Sequence, residues 1–347
     1  MLCTHFEATF ARLAFPCFDE PQKRATFQLN VLVPEDNMIA ISNTPVDKIE
    51  KTDKGSLYRF LITPYMSTYL LSWVIGKFEY LEGISKTGVN IRVYTPVGRK
   101  MEAKDPLELS LKCVDFFTDY FAITYPLKKL DLISLHGNIK FSCIDMEVRA
   151  MENWGCITFA DYALLPEATT SLNLTHRSAR TICHEISHMW FGNLVTMKWW
   201  TYLWLNEGFA RYMEHIAIEE IRPNYKIWEK FYPQIQVEAF NADTIPHTHP
   251  VEIECKATNE IDKIFDTISY SKGASLVKML NDFIGEEDFK KAIRLYLRQH
   301  LYSNTVSNDL WKAFDEVTGK PITEMMNKWI QIPGYVLFIH LGILWLR

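Results

Sequence analysis

Two histidines four residues apart, with a glutamate directly after the first, constrain this chain more than any other feature: His184-Glu185-Ile186-Ser187-His188. On an α-helix, residues four apart stand on nearly the same face, one turn above each other. Both imidazoles then reach a single metal ion, while Glu185 faces the water bound to it. Catalytic zinc takes three protein ligands and leaves one position open, so a second helix has to supply the third. Glu207 fills that role in Trp204-Leu205-Asn206-Glu207-Gly208-Phe209-Ala210. The chain between, with Asn193, Trp199-Trp200 and Thr201, has to leave the first helix, turn and return. The bland alternative for the two histidines is a pair of packed helix residues; Glu207 and its flanking motif argue against it.

These residue types imply a hydrolytic chemistry. Zinc polarises a carbonyl and lowers the pKa of its bound water towards about 7. Glu185 takes the water's proton during attack and later delivers it to the leaving amine. The developing oxyanion then needs a further hydrogen-bond donor. The tryptophans at 190, 199, 200 and 204 read as packing around the ligands. His247 and His249 form an H-x-H pair in a Pro-bounded loop, and we read them as structural, as we do His215.

Composition narrows the class. The 347 residues carry 37 basic and 42 acidic side chains, a net charge of −5, and no basic run. That argues against a nucleic-acid partner. Seven scattered cysteines without a C-x-x-C pair suit reduced thiols and a cytoplasmic setting. Met1–Phe10 lacks a signal peptide pattern, so the sequon at Asn173 reads as chance. The apolar tail from Tyr335 to Leu346 is shorter than the roughly 20 residues a span needs, and no firm membrane anchor is expected.

Periodicity divides the chain. From Ala25 to about Tyr94, alternating runs such as Thr26–Val31, Leu57–Leu61 and Val89–Tyr94 predict half-buried antiparallel strands. A helix is expected over Leu107–Phe121 and a strand over Leu130–Ile133. Further helices are expected over Ser178–Phe191, Asn206–Ile221, Gly273–Phe283, Glu287–Gln299 and Asn308–Thr318. No internal repeat is found.

The run His184–Ala210, HEISHMWFGNLVTMKWWTYLWLNEGFA, closely resembles the gluzincin aminopeptidases of the aminopeptidase N and puromycin-sensitive type. The resemblance extends to Ala150-Met151-Glu152-Asn153-Trp154-Gly155, to Phe6–Thr9 with Ala14–Pro21, and to Ile268–Ala274. It implies an α+β fold, with a partial N-terminal antiparallel β domain followed by a thermolysin-like, helix-rich zinc metallopeptidase domain. Expected boundaries are 1–95 for the β part, 96–334 for the catalytic domain and 335–347 for an apolar tail. It implies one Zn2+ per chain on His184, His188 and Glu207, with Glu185 as base and acid. Tyr270 matches the family's oxyanion donor. Glu152, together with Glu7, matches the acids that bind a substrate's free ammonium; Ala150, Met151 and Asn153 complete the substrate-binding set. A carboxylate at the blind end of a cleft pairs with that ammonium and places the first peptide bond over the metal. For Glu7 the ordinary reading, an exposed surface acid, stays open. The expected substrates are peptides with a free N-terminus; oligomeric state is not legible.

The sequence also departs from the pattern. Arg149 stands where the family has glycine, adding bulk and positive charge beside the substrate track. Weaker turnover, or a preference for acidic or short peptides, is the expected consequence. His5 replaces a glutamine two residues before Glu7; Met189 and Lys198 also differ and are not ligands. Residues 135–143 lengthen the usual connection, and the resemblance stops after Gly334-Tyr335. The expectation is a truncated member of the family. The alternatives are a catalytically impaired or inactive peptide-binding relative and, behind it, a zinc endopeptidase; a structural module would bury the two histidines and their acids without a metal to pair them.

Overall fold

The computed structural model describes residues 1–135, 149–165 and 171–335. The long connection expected over 135–143 and the tail expected over 335–347 lie, but for their first residues, outside the described residues.

The N-terminal strands are β1 (Leu2–Cys3), β2 (Asn30–Val33), β3 (Ile39–Ser42), β4 (Val46–Thr52), β5 (Gly55–Phe60) and β6 (Trp73–Gly76). They form two antiparallel three-stranded sheets, ordered β1-β6-β3 and β2-β5-β4. In β5 the alternation Ser56, Tyr58, Phe60 faces inward, as half-buried strands require. The run expected at Thr26–Val31 forms a ladder only from Asn30 onwards, where β2 pairs with β5.

A five-stranded sheet follows, ordered β10-β11-β9-β8-β7, from β7 (Phe78–Ile84), β8 (Asn90–Pro96), β9 (Lys129–Leu135), β10 (Ala150–Met151) and β11 (Cys156–Ala160). Strand β9 runs parallel to both neighbours and every residue of it is buried. The short β10 pairs antiparallel with β11 and forms one edge. Helix α1 (Lys104–Phe121) packs against β7 and β8.

The remainder is mostly helical. Helices α2 (Asp161–Leu164) and α3 (Leu172–Ser187) lead to α4 (Trp204–Ile221). Then come α5 (Ile227–Phe231), α6 (Val237–Asp243), α7 (Thr258–Ile261), α8 (Gly273–Ile284), α9 (Glu286–Gln299), α10 (Ser307–Thr318) and α11 (Ile322–Gln331). Two short parallel strands, β12 (Val195–Met197) and β13 (Ser303–Thr305), join the turn after α3 to the far helices. One apolar core runs from Phe6 through Trp154, Trp190, Trp200 and Trp204 to Ile330. It therefore packs the N-terminal segment against the helices that carry the histidines.

Candidate metal centre and active site

Helix α3 ends at the histidine motif, and His188 is its C-cap. Helix α4 packs beside it and carries Glu207 in its first turn. The two come close to α8 because Gly208 meets Gly273: a Cβ on Gly208 would lie 3.1 Å from the Gly273 Cα. His184 Nε2 lies 3.1 Å from His188 Nε2 and 3.2 Å from Glu207 Oε2, and His188 Nε2 lies 3.4 Å from the same oxygen.

The outer ring nitrogens decide what those inner atoms are. His184 Nδ1 donates to Glu214 Oε2 at 3.0 Å, and His188 Nδ1 donates to the Phe191 carbonyl at 2.9 Å. Both partners are acceptors only, so each Nδ1 carries a hydrogen, and each Nε2 is the ring atom left to face a metal. Two imidazole nitrogens and a carboxylate oxygen thus converge on one point within hydrogen-bonding distance. Tetrahedral zinc with bonds of about 2.0–2.1 Å places its ligand atoms about 3.3–3.4 Å apart. The spacing found here fits that ion.

The electrostatics ask for positive charge at the same point. Burial opposes ionising Glu207, yet the attraction of His188 and hydrogen bonds from both imidazoles hold its pKa well below the usual carboxylate range. Burial equally opposes charging His184, but Glu207 and Glu214 raise its pKa to about 9. His188 is pushed well above its ordinary value by Glu152 and Glu207 against the same burial. Glu185 is buried, which raises its pKa to about 8, and its Oε2 has no hydrogen-bond partner among the described residues.

These groups line a cleft of about 430 Å³ that also holds Glu7, Arg149, Ala150, Glu152 and Tyr270. Glu7 and Glu152 are both buried, and carboxylate oxygens of Glu7, Glu152 and Glu207 lie within 4.8 Å of one another. Glu7 is thus buried in the cleft, where its sequence alone left an exposed surface acid open. Burial first, then the neighbouring carboxylates Glu152 and Glu207, raise the Glu7 pKa well above normal. One oxygen of each of Glu7 and Glu152 has no partner among the described residues. A buried acidic end of this kind either keeps a proton or pairs with a cation.

Tyr270 sits in a π-helical turn, Ile268–Lys272, leading into α8. Its ring lies nearly parallel to that of His184, with centroids 6.2 Å apart. Asp266 fixes the turn by accepting the Ile268 and Ser269 amides at 3.0 and 3.1 Å. His249 in turn pairs with Asp266 at 2.8 Å.

Glu152 follows the edge strand, and its loop is pinned carbonyl by carbonyl. The Glu152 carbonyl accepts from Asn193 Nδ2 at 2.8 Å, that of Trp154 from Asn43 Nδ2 at 2.9 Å, and that of Gly155 from Lys129 Nζ at 2.7 Å. Gly155 adopts φ +79°, and a Cβ there would lie 2.4 Å from the Asn43 carbonyl oxygen. Ala150 lines the cleft from β10, whereas Met151 lies in the apolar core. Asn153 is fully buried and its Nδ2 reaches Thr158 Oγ1 at 3.4 Å. The structure therefore brings His184, Glu185, His188, Glu207, Glu7, Glu152, Ala150 and Tyr270 to one cleft, and turns Met151 and Asn153 away from it.

Sequence reading missed Glu214, Asn43, Lys129 and Arg24, and gave Asn193 only a place in the turn after the first helix. For Glu214 a signal existed, since it stands seven residues after Glu207 on the same helix face. The others act across distances that no local pattern records.

Comparison with known proteins gives the family. Residues 106–329 match the Peptidase family M1 domain, and residues 1–70 match the Peptidase M1 N-terminal domain. The chain belongs to peptidase family M1. It is 40% identical to Aminopeptidase M1-C of Oryza sativa subsp. japonica over 96% of this chain and 37% of that protein. Against the Puromycin-sensitive aminopeptidase of Caenorhabditis elegans it is 42% identical over 96% of this chain and 34% of the relative. Tricorn protease-interacting factor F2 of Thermoplasma acidophilum is 40% identical over 96% of this chain and 41% of its own length. The chain thus spans little more than a third of the length of these relatives. Among the described residues no helix is long and apolar enough to cross a membrane.

Proposed function

We propose that this chain is the catalytic portion of a zinc-dependent aminopeptidase that removes N-terminal residues from peptides. The observation that carries it is the pair of buried, partly unpartnered carboxylates, Glu7 and Glu152, beside Glu207. A free ammonium group satisfies them; an internal stretch of peptide, with no charge to offer, does not. His184, His188 and Glu207 would hold one Zn2+, which supplies Lewis-acid polarisation of the carbonyl and a lowered pKa for its water. Glu152 and Glu7 bind the substrate's ammonium and set the first peptide bond in the cleft. Strand β10 offers an extended edge at Ala150 along which the substrate backbone aligns. Glu185 accepts the attacking water's proton and passes it to the leaving amine, so its carboxylate ends the cycle as it began. The Tyr270 hydroxyl donates to the oxygen on which negative charge develops.

The domain division at 95/96, with a tail from 335, belongs to this proposal. The family matches on either side of it lend support, although β7 and β8 hydrogen-bond into the sheet of the second part. A cytoplasmic setting is supported by six described cysteines that are all unpaired. Peptides with a free N-terminus are the proposed partners, and nucleic acid is not.

The test compares an aminoacyl-amidomethylcoumarin with its N-acetylated form. Turnover of the free-amine substrate alone is expected. Equal turnover of both would mean an endopeptidase site. Binding without turnover, unchanged in Glu185→Gln, would mean a peptide-binding relative.

A further inference from the structure

The turn after His188 reaches further than the metal. Gly192 and Asn193 follow the ligand by four and five residues, and the Asn193 amide donates to the His188 carbonyl at 3.0 Å. The Asn193 side chain is fully buried and donates to the Glu152 carbonyl at 2.8 Å. One residue therefore touches the backbone of a candidate metal ligand and that of the candidate amine anchor.

Asn193 is itself gripped from the N-terminal segment. Arg24, only 7% exposed, donates through Nη2 to the Asn193 carbonyl at 2.7 Å and to Thr196 Oγ1 at 2.5 Å. Thr196 Oγ1 in turn donates to the Gly192 carbonyl at 2.5 Å, on which the Tyr69 hydroxyl also converges at 3.4 Å. Arg24 is held in place because the next residue, Ala25, bridges to Met66. Among the described residues no carboxylate pairs with its buried guanidinium, and Nε and Nη1 have no partner. A buried cation in that state is poor stabilisation in itself. What it does supply is a charge-assisted bond to one particular turn.

We infer that Asn193 is a positioning residue that ties Glu152 to the His188 end of the ligand helix, with Arg24 holding that tie from the N-terminal segment. The inference rests on the reading of Glu152 as amine anchor. Its chemistry is geometric. The scissile bond lies between the anchor and the metal, so their separation has to be fixed more tightly than a loop fixes it alone. Asn193 does so with one side chain, because its backbone moves with His188 and its amide holds Glu152. Arg24 matters because the turn Gly192–Thr196 has few other partners from the N-terminal side.

The experiment uses the full chain with three variants. Asn193→Leu keeps the shape of the side chain and removes the donor; Arg24→Met removes the fork; Arg24→Lys restores the charge. Calorimetry with L-leucinamide is run on parent and variants in a Glu185→Gln background, so that its amide is not hydrolysed during the titration; N-acetyl-L-leucinamide serves as control, and zinc content and thermal midpoint report on the scaffold. Asn193→Leu is expected to weaken L-leucinamide by about tenfold while zinc stays at one per chain, with KM for a free-amine anilide rising by the same factor and kcat changing less than about threefold. Arg24→Met should weaken it less, and Arg24→Lys should recover part of the loss. Variants that are less stable yet bind L-leucinamide as the parent does overturn the inference. If Asn193→Leu fails to fold, the Arg24 pair decides by the same criterion. A parent that binds the acetylated and free amides alike overturns the amine-anchor reading and the tie with it, an outcome distinct from a discriminating parent whose variants bind unchanged.

Discussion

His215 makes the helix that carries Glu207 sensitive to acid, and the size of the effect can be worked out. Its side chain is fully buried on α4. Nδ1 donates to the Arg211 carbonyl at 2.8 Å, while Nε2 has no partner among the described residues. The rings of Trp228 and Phe231 enclose it, with centroids 5.7 and 5.0 Å away. Burial, helped by the positive charges of Arg180 and Arg211 and opposed by Glu214, lowers its pKa from 6.5 to about 4. The folded chain keeps this histidine neutral, whereas the unfolded chain protonates it below about pH 6.5. Its contribution is therefore complete above that pH and is lost as pH falls towards 4. At about 1.4 kcal/mol per pH unit the loss comes to about 3 kcal/mol. For 347 residues, at roughly 2 cal/mol/K of unfolding entropy per residue, that is about 4–5 °C of thermal midpoint. The assay is differential scanning calorimetry of parent and His215→Gln from pH 7.5 to 4.5. The other acid-sensitive groups are common to both chains, so the gap between the two curves isolates His215. The parent should lose about 4–5 °C more than the variant. Parallel curves over that range would refute the reasoning.

Tyr270→Phe keeps the ring beside His184 and deletes the donor, so kcat should fall by about 10²–10³ with KM little changed; steady-state kinetics on a free-amine substrate check it. Gly208→Ala drives a Cβ to 3.1 Å from the Gly273 Cα. It should cost about 1–3 kcal/mol and lower the thermal midpoint, and a midpoint equal to the parent's would contradict the close α4–α8 contact. Arg149→Gly removes a guanidinium that lines the cleft; turnover of a dipeptide panel should rise and shift away from acidic leaving residues, and an identical profile would count against a role for Arg149.

Much of the site was legible because it is local. His184, Glu185 and His188 by their spacing point to a helix with a candidate metal face, and the helix is found as Leu172–Ser187 with His188 as its cap. Helices expected at Asn206–Ile221 and Gly273–Phe283 are found as Trp204–Ile221 and Gly273–Ile284; the second carries a clear apolar periodicity, whereas the first is buried on nearly every face. Strand pairing was less legible. Nothing in Val89–Tyr94 tells that β8 runs parallel to β9 and joins the later strands instead of the earlier sheets. Polar residues that act over long separations were invisible for a related reason. Arg24 and Asn193 are 169 residues apart, and a lone arginine followed by Ala-Thr-Phe looks like surface. Glu7 could be read as an exposed acid until the fold buried it beside Glu152.

Anomalous scattering at the zinc edge from crystals of the full chain grown with equimolar zinc tests the central claim most directly. The account predicts one peak per chain between His184 Nε2, His188 Nε2 and Glu207 Oε2. A chain that crystallises in this fold with no peak there, or with its zinc bound elsewhere, would contradict it.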